Sequence, residues 1–294
     1  MATVLSPDLA GFKAVHTLSE AQAVLGELGE ETRILAGGTD VMVQLLRGEI
    51  SPTRLLHIGR IPELAVHGVD QGRVRLGALV THRLVVEQGA LAGALPGLSE
   101  ACATVGGWQT QEVGTVVGNV CNASPAADTL PPLLVADTMV HLSSSRGERA
   151  LPLDEFVLDR RSTAARPDEI VVALESGACG PGSGETYLKV APRTAMEVAL
   201  VGLAVRLHFE DGSLTDARIA AGAVAPRPFR VPEAEAILVE SALSDDGVAE
   251  AAALVASRAQ PIDDARASAS YRRRVLGNIL ARGVSVARAR AMEA

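Results

Sequence analysis

Two segments of the chain carry residue types able to hold a phosphorylated ligand. The first is Ala36-Gly37-Gly38-Thr39-Asp40, between the apolar run ending at Leu35 and a second apolar run opening at Val41. Glycine lacks a Cβ, so its amide can approach a ligand closely and positive φ costs it nothing. A helix starting after the loop turns unpaired N–H groups and partial positive charge back toward it. A pyrophosphate suits that setting, with Thr39 capping the helix or donating to a phosphate oxygen. The second segment is Gly114-Thr115-Val116-Val117-Gly118-Asn119, continuing through Ser124 to Asp128. It is polar where its context predicts core. Thr115, Asn119, Ser124 and Asp128 bring hydroxyl, amide and carboxylate groups that suit phosphate, ribityl and ribose oxygens. Neither segment is a G-x-G-x-x-G with a downstream acidic residue, and neither ends in the Gly-Lys pair of a P-loop. Taken singly, each is equally well a plain tight turn.

Other chemistry is poorly provided for. His16, His57, His67, His82, His141 and His208 show no metal-ligand spacing. No G-x-S-x-G elbow starts a hydrolase triad. Cys102, Cys121 and Cys179 form no C-x-x-C pair, which argues against a disulfide framework and against a local zinc or iron–sulfur site. Lys189 sits inside an apolar strand pattern, where a lysine ordinarily snorkels to solvent.

The elements that must position these loops follow from periodicity. Thr17 and Glu20 have capping-box spacing, and Ala21, Val24, Leu25 and Leu28 continue at helical intervals. A strand over 32–36, the first glycine loop and a helix up to Gly48 complete a small α/β unit over 1–55. A middle α+β unit spans 56–177. It holds a hairpin turning at Asp70-Gln71-Gly72, helices near 81–91 and 93–105, and strands at 138–143 and 169–175 joined across 145–148. Residues 180–185 read as a linker by composition. The unit over 178–294 has strands at 187–190, 199–209 and 214–221, then helices at 233–240, 246–258 and 264–290. The fold class is α+β. A chain this long allows two or three domains with a core each.

With 35 Asp and Glu against 27 Lys and Arg, the net charge of −8 argues against a nucleic-acid or anionic-membrane surface. Aromatics are only 2%, so the core is built from small aliphatic side chains. No apolar run reaches membrane-spanning length and the opening residues lack a leader pattern, so the cytoplasm is the expected compartment. Arg272, Arg273 and Arg274 read as a solvated or subunit-contacting helix face.

The pair of loops is far more specific than either alone. It resembles the flavoprotein subunits of molybdenum hydroxylases, which include the medium subunits of bacterial xanthine, carbon monoxide and nicotine dehydrogenases. That family shows Ala-Gly-Gly followed by Thr or His, and some seventy to eighty residues later a Thr-(Ile/Leu)-Gly-Gly-Asn loop running into Ala-Ser-Pro-x-x-Asp. Residues 36–40, 115–119 and 123–128 match these, and the resemblance extends to 187–193, 221–235 and 270–276. Val117 departs from the pattern, standing where the family carries the first of two glycines.

The resemblance implies the three-domain FAD-binding fold of the vanillyl-alcohol oxidase type, with FAD between the N-terminal and middle domains. It implies FAD contacts at Leu35, Ala36, Gly37, Gly38, Thr39, Asp40 and Val41, and at Thr115, Val116, Val117, Gly118, Asn119, Ser124 and Asp128. Val105 and Val171 would line the flavin and adenine pockets, and Lys189 would stabilise the negative charge of the reduced ring. Molybdopterin and two [2Fe–2S] clusters are implied on partner subunits, a large one and a small one, in a dimer of heterotrimers that delivers electrons to NAD, oxygen or a quinone. The form of the first loop favours an N-heterocycle as the oxidised substrate. The alternative is a stand-alone FAD-dependent oxidoreductase of the same fold, for which no acid–base constellation is evident. A flavin-free assembly protein would leave both loops unexplained.

Overall fold

The computed structural model describes residues 11–293. The leader-free reading of the first ten residues lies outside the described residues. After β1 (Gly11–Ala14), the Thr17 hydroxyl accepts the Glu20 N–H at 3.2 Å and the Glu20 carboxylate accepts the His16 N–H at 2.8 Å. This reciprocal cap starts α1 (Leu18–Leu28), which buries Ala21, Val24 and Leu25 on one face. β2 (Thr32–Leu35) leads through the glycine turn into α2 (Val41–Leu46) and on to β3 (Arg54–His57). β3 lies between β1 and β2, parallel to both. The crossover sets the start of α2 at the carboxyl edge of the sheet, where ligands bind in open α/β sheets. β3 runs two residues past the expected boundary at 55.

The middle region opens with the hairpin β4 (His67–Asp70) and β5 (Arg73–Gly77), turning on Gln71 and Gly72 with φ of 45° and 73°. Six short helices follow: α3 (His82–Glu87), α4 (Gly89–Ala94), α5 (Pro96–Thr104), α6 (Trp108–Val113), α7 (Val116–Asn122) and α8 (Leu130–Val135). Next come β6 (Met139–Ser144), β7 (Gly147–Pro152), α9 (Leu153–Phe156), the small hairpin β8 (Val157–Asp159) and β9 (Ser162–Thr163), and β10 (Ile170–Gly177). The sheet order is β4-β5-β10-β6-β7 with every pair antiparallel. The turn over 145–148 therefore joins β6 to β7, not to the strand near 170. β7 is an exposed edge strand ending in proline, so it lacks the alternating pattern that marks a half-buried strand.

The last region is a four-stranded antiparallel sheet of β11 (Ser183–Val190), β12 (Val201–Glu210), β13 (Ser213–Gly222) and β14 (Phe229–Arg230). It is backed by α10 (Pro232–Glu240), α11 (Asp245–Arg258) and α12 (Ala269–Glu293). The stretch that composition marked as a linker belongs in part to β11. Glu185 is fully buried there, and a Cβ at Gly184 would lie 2.6 Å from the Ala291 amide nitrogen. The glycine serves close strand–helix packing rather than flexibility. α12 begins five residues later than expected, and Arg272 is buried, donating to Asp264 at 2.8 Å and to the Leu200 carbonyl at 3.0 Å. That arginine belongs to the fold and not to a solvated face. Among the described residues, buried apolar side chains form two clusters: one spans the first two regions and takes in Tyr187, Ala204 and Ala220 of the last sheet, and the other lies between that sheet and its helices. Among the described residues no helix is long and apolar enough to cross a membrane, and no group of ligating side chains could hold a metal.

Candidate cofactor-binding site

The glycine turn between β2 and α2 presents bare backbone. Among the described residues, the N–H groups of 37–41 find no intramolecular acceptor, while Met42 and Gln44 already donate to the carbonyls of Gly38 and Asp40. Gly38 has φ of +76°. Gly37 is constrained differently: a Cβ there would overlap the carbonyl of Val113, with the carbonyl carbon 2.6 Å away. The first turn is thus pressed directly against the connection from α6 to α7.

The second segment, expected as a loop, is the start of helix α7. The Thr115 hydroxyl caps it by accepting the Gly118 N–H at 3.0 Å, and Val116 and Val120 are fully buried. Thr129 donates to the side-chain oxygen of Asn119 at 2.6 Å, which leaves the amide NH₂ free to donate elsewhere. Ala123 closes α7 in the left-handed region at φ 45° and turns the chain toward Ser124.

Asp128 lies further along, facing β11. Its Oδ1 accepts the Tyr187 hydroxyl at 2.7 Å and its Oδ2 accepts the Lys189 amine at 2.8 Å. Burial pushes its acidity toward the neutral form, and the charge of Lys189 opposes that shift. Asp40 is likewise raised by burial, against the charge of Arg161. Burial holds His82 down to about 4, so its imidazole is neutral at physiological pH, and pushes the Cys121 thiol up to about 12.

These segments enclose one cavity of about 460 Å³, within the range of cofactor sites. It is lined by Ala36, Gly37, Gly38, Thr39, Asp40 and Val41 from the first turn, and by Thr115, Val117, Gly118, Asn119, Ser124 and Asp128 from the second. Val105 and Val171 complete the wall, the latter beside a bulge in β10 where register shifts between Val171 and Ala173. The cavity combines unpaired amides with apolar side chains. Asp40, Asp128 and Glu197 place carboxylates on its wall.

Comparison with known proteins gives the arrangement a context. Residues 10–175, more than half of the chain, match the model of the FAD binding domain in molybdopterin dehydrogenase. The chain belongs to that family. Residues 186–287 match the CO dehydrogenase flavoprotein C-terminal domain. The xanthine dehydrogenase FAD-binding subunit of Escherichia coli O157:H7 is 28% identical over 95% of this chain and 96% of that protein. The glyceraldehyde dehydrogenase medium chain of Sulfolobus acidocaldarius is 31% identical over 89% of this chain and 92% of that protein. In a solved structure of carbon monoxide dehydrogenase from Hydrogenophaga pseudoflava, a chain of 28% identity superposes with a TM-score of 0.92, covering 95% of this chain and 97% of that one. This chain is an oxidoreductase subunit of the molybdenum hydroxylase type.

For a member of the FAD-binding family, three expected contacts stand apart from the cavity. Leu35 is buried beneath the first turn, Val116 points into the core, and Lys189 lies behind Asp128 rather than on the wall. Val117, the departure from the family pattern, is among the residues lining the cavity, and α7 keeps its ordinary cap. Residues brought in by topology were not singled out beforehand: Arg33 beside the turn, His82 at the start of α3, Arg161 from the β8–β9 turn, and Met196 and Val198 beyond β11. None has a local signal. Tyr187 has one, since it stands two residues before Lys189 in the pattern matched at 187–193. The site fits FAD on its own chemistry. The unpaired amides of 37–41 suit a diphosphate, and the apolar side chains of Val105, Val117 and Val171 suit planar rings.

Proposed function

We propose that this chain is the FAD-carrying electron-transfer subunit of a heteromeric molybdenum hydroxylase of the xanthine or N-heterocycle dehydrogenase type. The observation that carries the proposal is a cavity built to bind and not to turn over an organic substrate. Its bare backbone donors are the amides of 37–41, its imidazole is neutral, and of its carboxylates Asp128 is engaged on both oxygens, Glu197 accepts from Arg193, and Asp40 is pushed toward the neutral form by burial. FAD, when bound, accepts electrons from a donor and passes them to an external acceptor. The protein supplies the rest. The amides of 37–41, with Thr39, would hold the diphosphate, helped by the α2 dipole. Thr115, Gly118, Asn119 and Ser124 would hold the ribityl and ribose oxygens. Val105 and Val171 would exclude water from the rings, and Lys189 would place positive charge near the pyrimidine edge. FAD would lie between the region up to residue 55 and the region 56–177, as in the vanillyl-alcohol oxidase arrangement, with 178–294 covering one side.

The relatives named above oxidise chemically different substrates, yet one fold serves them all. That supports a role in the step they share and places substrate choice on a partner. The partners would be a small subunit with two [2Fe–2S] clusters and a large molybdopterin subunit, assembled in the cytoplasm as a dimer of heterotrimers. NAD, oxygen or a quinone would be the final acceptor. Expressed alone, the chain should bind FAD and oxidise no purine or other heterocycle. Native mass spectrometry from the source cell should find it with two partners carrying molybdenum and iron. Turnover of an organic substrate by the isolated chain would overturn the proposal in favour of a stand-alone oxidoreductase.

A further inference from the structure

Tyr187 has no part in the reading above, yet its surroundings are specific. It is 5% exposed, and its hydroxyl donates to Asp128 from the same face of β11 as Lys189. Lys189 also donates to the Thr104 carbonyl at 3.1 Å, immediately before the cavity residues Val105 and Gly106. On the neighbouring strand Gly202 pairs with Lys189, and a Cβ there would lie 2.6 Å from the Tyr187 hydroxyl oxygen. A backbone position is thus kept bare where the phenol reaches Asp128. Packing a ring needs neither that vacancy nor a carboxylate at its tip.

We propose that Tyr187 is a positioning residue acting through Asp128: its hydroxyl locks the carboxylate of this cavity residue against Lys189, which stands behind the wall. The proposal rests on the FAD reading. Burial drives Asp128 toward protonation, and the Lys189 charge and the two hydrogen bonds resist. Cys102, facing from α5, contributes no charge because burial pushes its thiol up. His82, at 3.4 Å behind Cys102, is neutral. Tyr187 and Lys189 therefore decide the state of the carboxylate.

Tyr187→Phe keeps the ring and removes only the hydroxyl. Gly202→Ala is an independent way to move the hydroxyl off Asp128. The holo-protein of each variant is followed from about pH 5 to about pH 9 by spectroelectrochemical titration and by FAD affinity. Beyond the inflection of the reduced flavin itself, the wild-type profile should show a second one that Asp128→Asn abolishes. Both Tyr187→Phe and Gly202→Ala should move that inflection upward, by about one pH unit for the lost hydrogen bond to a charged group. A tyrosine that only packs would alter thermal stability and leave the inflection in place. A second inflection at the wild-type pH in both variants, or none in the wild type, overturns the proposal. Failure of wild-type chain to bind FAD overturns the FAD reading itself, a result visible before any variant is made.

Discussion

Alanine at Gly37 and at Gly38 should weaken FAD binding by very different amounts. At Gly38 the cost is conformational: a φ of +76° is open to alanine at roughly 1–2 kcal/mol. The nearest atoms to its Cβ are side-chain carbons of Leu35 and Met42 at 3.1 and 3.3 Å, which can yield. Affinity should therefore fall by about 5–30-fold. At Gly37 the obstacle is backbone. The added Cβ would sit 2.6 Å from the Val113 carbonyl carbon, where ordinary contact begins at 3.4 Å, and would overlap its oxygen. The first turn must then move about 1 Å or more away from the α6–α7 connection, through a close-packed interior that transmits the strain. Amide–phosphate hydrogen bonds near 2.9 Å pass out of bonding range over such a shift. Losing two of them, at about 1.5–3 kcal/mol each, reduces affinity by roughly 10²–10⁴-fold. Isothermal titration of apo-protein with FAD measures both, with far-ultraviolet circular dichroism to confirm that helix and strand content persist. Binding by Gly37→Ala within about 3-fold of wild type, or a larger loss at Gly38→Ala, would refute the reasoning.

Lys189→Met removes one member of a buried pair, so its effect should depend on pH. Where Asp128 takes up a proton in response, net charge is unchanged and the flavin potential should move little. Above that pH an uncompensated negative charge remains, and the potential should fall progressively below wild type in spectroelectrochemical titration; a pH-independent gap would show the two are uncoupled. Glu185 is fully buried, and burial raises it from 4.5 to about 7 against the opposing charge of Arg206. Because the folded state binds the proton more tightly, this stability is complete below about 4.5 and lost as pH rises through about 7. It amounts to on the order of 3 kcal/mol at most, so Glu185→Gln should flatten the fall in melting temperature between those limits, and an unchanged profile counts against it. With Cys121 held as a thiol at about 12, FAD should attach without a covalent bond. Acid precipitation should leave the yellow cofactor in the supernatant, and flavin on the pellet would contradict that.

Much of the fold was legible where a local rule acts alone. The Thr17–Glu20 cap, the Asp70-Gln71-Gly72 turn and the strand–glycine–helix unit each have a signature within a few residues. Errors came where tertiary context chose among local options. Gly184 and its neighbours have linker composition, yet close packing on α12 requires it. β7 has no alternation because an edge strand needs none. Val116 and Val120, four apart and both buried, marked α7 as a helix, but the surrounding glycine and polar residues drew attention to a loop. At the site, the first glycine turn is readable from sequence, and the polar residues of the second segment are too, though not its helical form. Arg33, His82 and Arg161 were not, because only the crossing of distant segments brings them to one cavity.

The wall behind Asp128 is synthesised well after the two segments it closes on. Both glycine turns and Asp128 leave the ribosome within the first 128 residues, but Tyr187 and Lys189 follow some sixty residues later. At roughly 5–20 residues per second this gap lasts about 3–12 seconds. Arg290, close to the end of the chain, donates to Glu100 of α5 at 2.5 Å and to the Glu185 carbonyl at 2.6 Å, tying the closing strand to the middle region. Until that stretch is made, Asp128 lacks both of its side-chain partners. Under the proposed reading, the closed wall behind the cofactor waits for α12, which carries Arg290.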